Sequence, residues 1–290
     1  MKKPAQKALL AVFVMLAVGV LIALLAGQGL PRYRGLPLPL WSLLIAVAVQ
    51  WLVFAHAYRH QTERFYDLTG AATNIGLVIF ALNYSTGTSR DYLLASCIVL
   101  WALRLGIFLF WRVTVDGGDT RFAKIKPNFF RFLLTWTLQA LWIFLILLCA
   151  ILAMAAENPK PLGLVTVFGF ACWLLGMVIE SIADVQKRQF RADPNNAGQF
   201  IHQGLWAWSR HPNYFGEILV WLGVSIIALP VLSGWQYLGL LSPLFVILVL
   251  TKVSGVPLLE ASADRRWGGD LSYEQYKAQT PVLIPRPPRL

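Results

Sequence analysis

Nineteen consecutive residues, "ALLAVFVMLAVGVLIALLA" from Ala8 to Ala26, carry no charge. A helix needs about 20 apolar residues to cross the hydrocarbon of a bilayer. In lipid the backbone must satisfy its own hydrogen bonds, which a helix does within one segment. Seven further apolar stretches follow, at approximately 38–58, 69–84, 91–111, 131–156, 162–184, 213–231 and 234–256. The chain is therefore expected to be all-α, a polytopic membrane helix bundle of about eight transmembrane spans. The 69–84 stretch is short and contains Asn74 and Asn83, so it is the weakest of the eight.

Composition agrees with this reading. Hydrophobic residues make up 57% of the 290 and charged residues 13%, where a soluble domain has about 45–50% and about 25%. Lys2, Lys3 and Lys7 before the first run would also suit a signal peptide, but no small-x-small cleavage site follows and many apolar segments do. A retained first span, within residues 1–30, is expected. With the N-terminus placed inside, nineteen Lys and Arg fall in inside segments, against Arg32, Arg34, Arg90 and Lys160 outside. That asymmetry predicts both termini in the cytoplasm. The short loops and early lysines point to a bacterial inner membrane. The net charge of +11 sits mostly on this one face, as a topology signal with affinity for anionic membrane lipids or as a rim for an anionic cofactor. The basic residues are dispersed between spans, so no nucleic-acid partner is expected. Cys97, Cys149 and Cys172 lie in apolar stretches and read as packing residues. His56, His60, His202 and His211 lack ligand spacing, so no metal is expected. Nothing implies an oligomer, and a monomer is expected.

Polar residues then stand where a greasy chain should have none. In "GMVIESIADVQKRQFRADPNN", Glu180, Asp184, Arg188 and Arg191 fall at i, i+4, i+8 and i+11, on one helical face. Acids in an apolar helix usually face a bundle interior or a watery cavity. An Asp184–Arg188 pair at a helix end would account for part of the pattern. In "WSRHPNYFGE", Pro212 suits a first helical turn, and Asn213 and Glu217 lie four apart beyond it. Arg210, His211 and a helix N-terminus together suit a phosphate. A capped helix start is the plainer reading. "VLWALRLGIFLFWR" holds Arg104 inside an apolar run, with Asp67 of "YDLTGAATN" as its candidate partner. The loop "DGGDTRFAKIKPN" adds Gly117, Gly118, Arg121 and Lys124. After the last span come Glu260, Arg265, Arg266, Tyr273 and Tyr276. The convergence on one side from several segments suggests a site for something large and anionic, beside an apolar cavity open to lipid-like molecules.

From about Arg64 onward the chain resembles the DUF1295 membrane proteins, relatives of the steroid 5-alpha-reductases and delta-sterol reductases. The resemblance rests on "RFYDLTG", "WALRLGIFLFWR", "DTRF", "QALW", "IESIADVQKRQFRADPNN", "GLWAWSRHPNYFGE", "KVSGVPLLE" and "RRWGGDLSYEQYKAQTPVLIP". It implies a seven-span reductase-like domain over residues 31–290, with the first span an addition. It also implies reduction of a conjugated carbon–carbon double bond in a sterol-like or other lipid, with NADPH as cofactor. Asp184 and Arg191 keep the family's cofactor-binding spacing of seven, Asn213 and Glu217 match its N-x-x-G-E element, and Arg104 matches its buried arginine. Glu260, Arg265, Arg266, Trp267 and Gly268 resemble the sterol-reductase tail motif. One position departs: where the steroid reductases carry a tyrosine that polarises the substrate carbonyl, this chain has Trp101. Asp67 aligns loosely with the partner glutamate.

The expected cofactor-binding set is therefore Arg104, Arg121, Asp184, Arg188, Arg191, Arg210, His211, Asn213, Tyr214, Glu217, Arg265, Arg266, Tyr273 and Tyr276. Asp67, Tyr66, Trp101 and Glu217 form the expected catalytic set, with Tyr84 a further candidate acid. An indole donates a hydrogen bond but gives up no proton near neutral pH, so the proton donor stays open among the tyrosines and Asp67. Two alternatives remain. Membrane methyltransferases that use S-adenosylmethionine on isoprenylcysteine or phospholipid share the R-H-P-x-Y element, although the arginines suit a phosphorylated dinucleotide better. A structural or lipid-binding role would leave these groups only as helix staples.

Overall fold

A computed structural model describes residues 3–115, 118 and 122–288. Among the described residues, seven helical stretches are long and apolar enough to cross a membrane. The long helices are α1 (Lys3–Ala26), α2 (Leu38–Arg59), α4 (Ser89–Val115), α5 (Phe129–Met154), α6 (Leu164–Ala192) and α7 (Pro212–Ala228), and the seventh stretch is the composite Gly234–Trp267. The eighth expected span is α3 (Tyr66–Leu82), whose 17 residues reach roughly 25 Å at about 1.5 Å each, somewhat short of a bilayer core of roughly 30 Å. The expectation of an all-α polytopic bundle is thus met by seven long helices and one short apolar one. A two-residue hairpin, β1 (Arg32–Tyr33) with β2 (Leu36–Pro37), links α1 to α2. Its turn residues Arg34 and Gly35 both have positive φ, 48° and 81°, as a type I′ turn requires.

The chain groups into two compact units. The first comprises Met1–Val165 and Ile227–Ser242. Its centre is α5, where every residue from 143 to 154 is buried, and α1, α2, α3 and the 3-10 segment Gly234–Leu240 pack around it. α1 leaves Leu10 and Phe13 exposed, an outward apolar flank of the kind a lipid-facing helix presents. Side-chain hydrogen bonds tie the helices together: Gln50 Nε2 donates to Thr73 Oγ1 (3.1 Å), Trp51 Nε1 to Thr137 Oγ1 (3.0 Å), and Ser242 Oγ to the Ile146 carbonyl (2.7 Å). Such pairs hold where water offers no alternative partner. Arg90, read from the sequence as an outer loop residue, instead begins α4 with its side chain 2% exposed. Its guanidinium donates to the carbonyls of Ile227 (2.6 Å), Pro161 (2.9 Å) and Lys160 (3.3 Å). Backbone acceptors thus take up a buried charge at the start of α4, next in sequence to the buried Asp91.

The second unit comprises Thr166–Ile226 and Pro243–Leu290. Here α6 and α7 touch backbone to backbone along a glycine seam. A Cβ added at Gly176 would lie 2.6 Å from the Gly216 oxygen, and one at Gly223 2.7 Å from the Gly169 oxygen. The spacing of seven in both helices repeats the contact on one face, as small residues do where membrane helices approach closely. The expected 234–256 span departs from a single α-helix. α8 (Leu241–Leu248) passes into a π turn, Val249–Val253, and breaks at Ser254 and Gly255. α9 (Val256–Trp267) then starts with a proline in its first turn. A short α10 (Leu271–Gln279) and an extended tail complete the unit.

Candidate functional site

The sequence-predicted residues divide between the two units. In the first, Tyr66 and Asp67 open α3, and Trp101 and Arg104 lie in α4. The helices meet where Gly106 faces the Ala71 side chain. Asp67 and Arg104 therefore sit four and two residues from one crossing, each within about a turn of it. Trp101 is buried at 3% exposure. The Tyr66 hydroxyl donates to the Thr135 carbonyl at 3.1 Å, and its own carbonyl accepts from Gln139 Nε2 at 3.0 Å. With its ring edge-on to Trp136, Tyr66 is fastened to α5. Tyr84 follows the opposite end of α3 and packs against Tyr33, ring centroids 4.6 Å apart. A helix of 17 residues separates it from Asp67 by roughly 25 Å, too far to serve the same atoms. In the basic loop, Gly117 and Arg121 lie outside the described residues. Gly118 takes φ +131°, and an added Cβ would lie 3.0 Å from Glu63 Oε1. Glu63 pairs with Lys126, and together with Thr62, Arg64 and Thr114 they line a cavity of about 330 Å³.

The second unit carries the larger cluster. Glu180 and Asp184 are buried at 3% and 8% exposure, while Arg188 and Arg191, one and two turns further along α6, are exposed. The predicted face thus runs from buried acids to a solvated basic lip. α7 presents Asn213 to it, and Asn213 Nδ2 donates to Asp184 Oδ1 at 3.4 Å. Gly216 lets this happen: a Cβ there would meet the Glu180 backbone nitrogen at 2.6 Å. Tyr214 and Glu217 are half-buried on the same turns. The 3-10 turn Gly204–Ala207 is pinned to α6 beside Asp184. Trp206 Nε1 donates to the Ala183 carbonyl (3.0 Å), and the Leu205 amide to Gln186 Oε1 (2.9 Å).

Before α7, Glu260 of α9 forms a hub that the expected site did not include. Its Oε2 pairs with Arg210 Nη1 at 2.9 Å, and its Oε1 bonds His211 Nε2 at 2.7 Å. His211 is 5% exposed and stacks on Tyr214 at 5.7 Å. Burial holds its imidazole below the ordinary histidine range, against the opposing pull of Glu260. The neutral ring therefore donates Nε2–H to the carboxylate, which leaves Nδ1 as a bare acceptor. His211 Nδ1, Arg210 Nε and Asn213 Oδ1 are all buried with no hydrogen-bond partner among the described residues. Of the pair expected to meet a phosphate, Arg210 is thus tied to Glu260 through Nη1 and His211 through Nε2.

The C-terminal segment braces these groups. The amide of Arg210 donates to the Pro281 carbonyl (2.9 Å), Ser209 Oγ to that of Leu283 (2.8 Å), and the amide of Arg286 to that of Trp208 (3.0 Å). Of the predicted tyrosines, Tyr273 is buried and donates to Asp264 Oδ1 (2.9 Å), and Tyr276 donates to the Trp206 carbonyl (2.7 Å). Burial raises the pKa of both phenols, so they stay protonated donors. Arg265 and Arg266 are exposed at the end of α9. Tyr276 also lines, with Phe200, Trp267 and Gln275, a cavity of about 440 Å³. No spacing rule joins Glu260 to His211, 49 residues apart. The sequence hinted at Glu260 itself, as the acid that follows the last apolar stretch, but not at its partner.

The family model for DUF1295, described as a protein of unknown function, matches residues 53–280. The chain is 24% identical over 213 residues to an uncharacterised protein of Schizosaccharomyces pombe, covering 62% of each. It is 30% identical over 117 residues to 3-oxo-5-alpha-steroid 4-dehydrogenase 1 of Rattus norvegicus, covering 40% of each chain. The corresponding enzyme of Mus musculus is 29% identical over 117 residues, again 40% of each. The chain thus spans about two fifths of the length of these steroid dehydrogenases and about three fifths of the yeast protein. No solved structure matches the chain.

Proposed function

The chain belongs to the DUF1295 family, and we propose that it is an integral membrane oxidoreductase that reduces a conjugated carbon–carbon double bond of a sterol-like or other lipid with NADPH. The observation that carries the reading is the α6–α7 crossing, where Asp184 meets Asn213 at 3.4 Å below the exposed Arg188 and Arg191. Similarity to the steroid dehydrogenases supports it.

The residues fit a phosphorylated dinucleotide by the chemistry of their donors and acceptors. Exposed arginines suit phosphates as charge-assisted partners. The orphaned buried atoms of Arg210, His211 and Asn213 ask for a ligand that both donates and accepts. NADPH, when bound, supplies the reducing equivalent, and the protein supplies placement and electrostatics. In this reading Arg188, Arg191, Arg265 and Arg266 bind phosphates. Asp184, Asn213, Tyr214 and Glu217 hold the uncharged parts, and Tyr273 and Tyr276 brace the segment above them. Arg104 and Trp101 are the proposed donors to the substrate oxygen, whose negative charge grows as the double bond is reduced, and Asp67 is a candidate proton donor. Losing one such donor typically lowers the rate about 100- to 1,000-fold. The same reading puts the basic loops and both termini in the cytoplasm.

The test is equilibrium binding of NADPH, NADH and S-adenosylmethionine to detergent-purified protein, beside Arg191→Ala and Glu217→Ala. NADPH binding that both substitutions weaken, in folded protein, is the expected result. Binding of S-adenosylmethionine alone would move the chain to a methyltransferase chemistry. Binding of none would leave a structural role.

A further inference from the structure

Glu260 holds two neighbouring residues by one carboxylate: Arg210 through Nη1 at 2.9 Å and His211 through Nε2 at 2.7 Å. Each keeps one buried polar atom with no partner among the described residues, Nε–H of Arg210 and Nδ1 of His211. One is a donor and the other an acceptor. A buried group left unsatisfied is expensive, and the exceptions call for an explanation. On two residues that share one carboxylate, these atoms offer one donor and one acceptor, which a ligand edge with an acceptor beside an N–H donor would answer.

The structure assigns to Arg210 and His211, oriented by Glu260, the recognition of an uncharged amide-like edge of the cofactor, with no phosphate contact. This rests on the proposed NADPH reading. Two parts of that molecule present such an edge: the nicotinamide carboxamide, with C=O beside NH₂, and the adenine edge, with a ring nitrogen beside its exocyclic NH₂. Either would accept from Arg210 Nε and donate to His211 Nδ1. Glu260 acts as a positioning residue. It fixes the imidazole in the Nε2–H tautomer, without which Nδ1 would carry the proton and repel the ligand's N–H. Glu260 also balances the Arg210 charge, so the pair as a whole selects a neutral partner.

The experiment compares binding of three nucleotides to full-length protein in detergent: NADP⁺, its nicotinic acid analogue, and its hypoxanthine analogue. The nicotinic acid analogue replaces the carboxamide N–H donors by a carboxylate, and the hypoxanthine analogue exchanges the donor and acceptor of the adenine edge. One of them is expected to bind at least about tenfold more weakly than NADP⁺, since a mismatched buried edge leaves both partners unpaired. Which one identifies the source of the edge. In His211→Gln, whose amide still reaches Glu260 but offers no acceptor at the Nδ1 position, that preference is expected to shrink to about twofold or less. If that variant does not fold, the ¹⁵N shifts of histidine-labelled protein decide in its place. Addition of NADP⁺ should move the Nδ1 resonance of one buried Nε2–H imidazole, and an unmoved resonance overturns the assignment. Equal binding of all three nucleotides, or a preference that His211→Gln retains, also overturns it while leaving the NADPH reading intact. Failure of the wild type to bind any of the three removes the NADPH reading itself.

Discussion

Gly216 of α7 lies against the backbone of Glu180 in α6, so that a Cβ on the glycine would sit 2.6 Å from the Glu180 nitrogen and 2.7 Å from the Gly176 oxygen. Real Cβ contacts do not come this close, and both neighbours are backbone atoms that belong to a helix. Gly216→Ala must therefore push the helices apart at the level of Asp184 and Asn213. Overpacking of this kind destabilises by about 1–3 kcal/mol. The expected result is a lower midpoint of thermal unfolding in detergent together with weaker NADPH binding, read in the same preparation. Unchanged stability would mean that the seam opens freely.

His211 links stability to pH. Its folded pKa lies below the ordinary 6.5 because burial disfavours the imidazolium. Between the two values the unfolded chain binds more protons than the folded one, so stability falls as pH falls. Above about pH 6.5 neither state is protonated and the effect vanishes. Below the folded value both states are protonated and the loss is complete. Unfolding midpoints measured from pH 8 to pH 5 should drop below about 6.5, and His211→Gln should flatten that step.

Arg191 is exposed at the last turn of α6, so its removal should leave the fold alone, since surface changes usually stay within about ±0.5 kcal/mol. A charge-assisted bond to phosphate is worth about 1.5–3 kcal/mol. Arg191→Ala is thus expected to raise the Kd for NADPH about tenfold or more, with an unchanged melting temperature and a shallower dependence on salt. Calorimetric titration at two ionic strengths checks both statements.

Arg90 offers the opposite dissociation. Its guanidinium satisfies three backbone carbonyls, those of Ile227, Pro161 and Lys160. Arg90→Met keeps bulk but strands buried acceptors, at about 1–3 kcal/mol for each group left without a partner. The variant should melt at lower temperature and, where it remains folded, bind NADPH as the wild type does. A change in cofactor affinity without loss of stability would contradict the staple role.

Much of the architecture followed from elementary constraints on the chain. Uncharged runs such as Ala8–Ala26 must close their backbone hydrogen bonds within a helix when surrounded by lipid, and seven long helical stretches result among the described residues. The acid–base face of α6 was legible too, because helical geometry alone puts residues 180, 184, 188 and 191 on one side. So was the start of α7 at Pro212, from the tolerance of a first turn for proline. The pitch changes between Gly234 and Trp267 were not, since a continuous apolar composition carries no signal for a π turn.

Tertiary structure decided the rest. Arg90 reads as a loop cation because a charge beside an apolar run ordinarily stays in water. The convergence of the carbonyls of residues 160, 161 and 227 on its guanidinium offsets the cost of burying it. Glu260 and His211 are 49 residues apart, and no local period relates them. Their pairing exists because the tail bonds to the backbone of residues 208–210 and α9 brings its acid to the same place. Local periodicity is a property of one helix at a time. Which buried atoms find partners depends on where separate helices meet, and that is set by long-range packing.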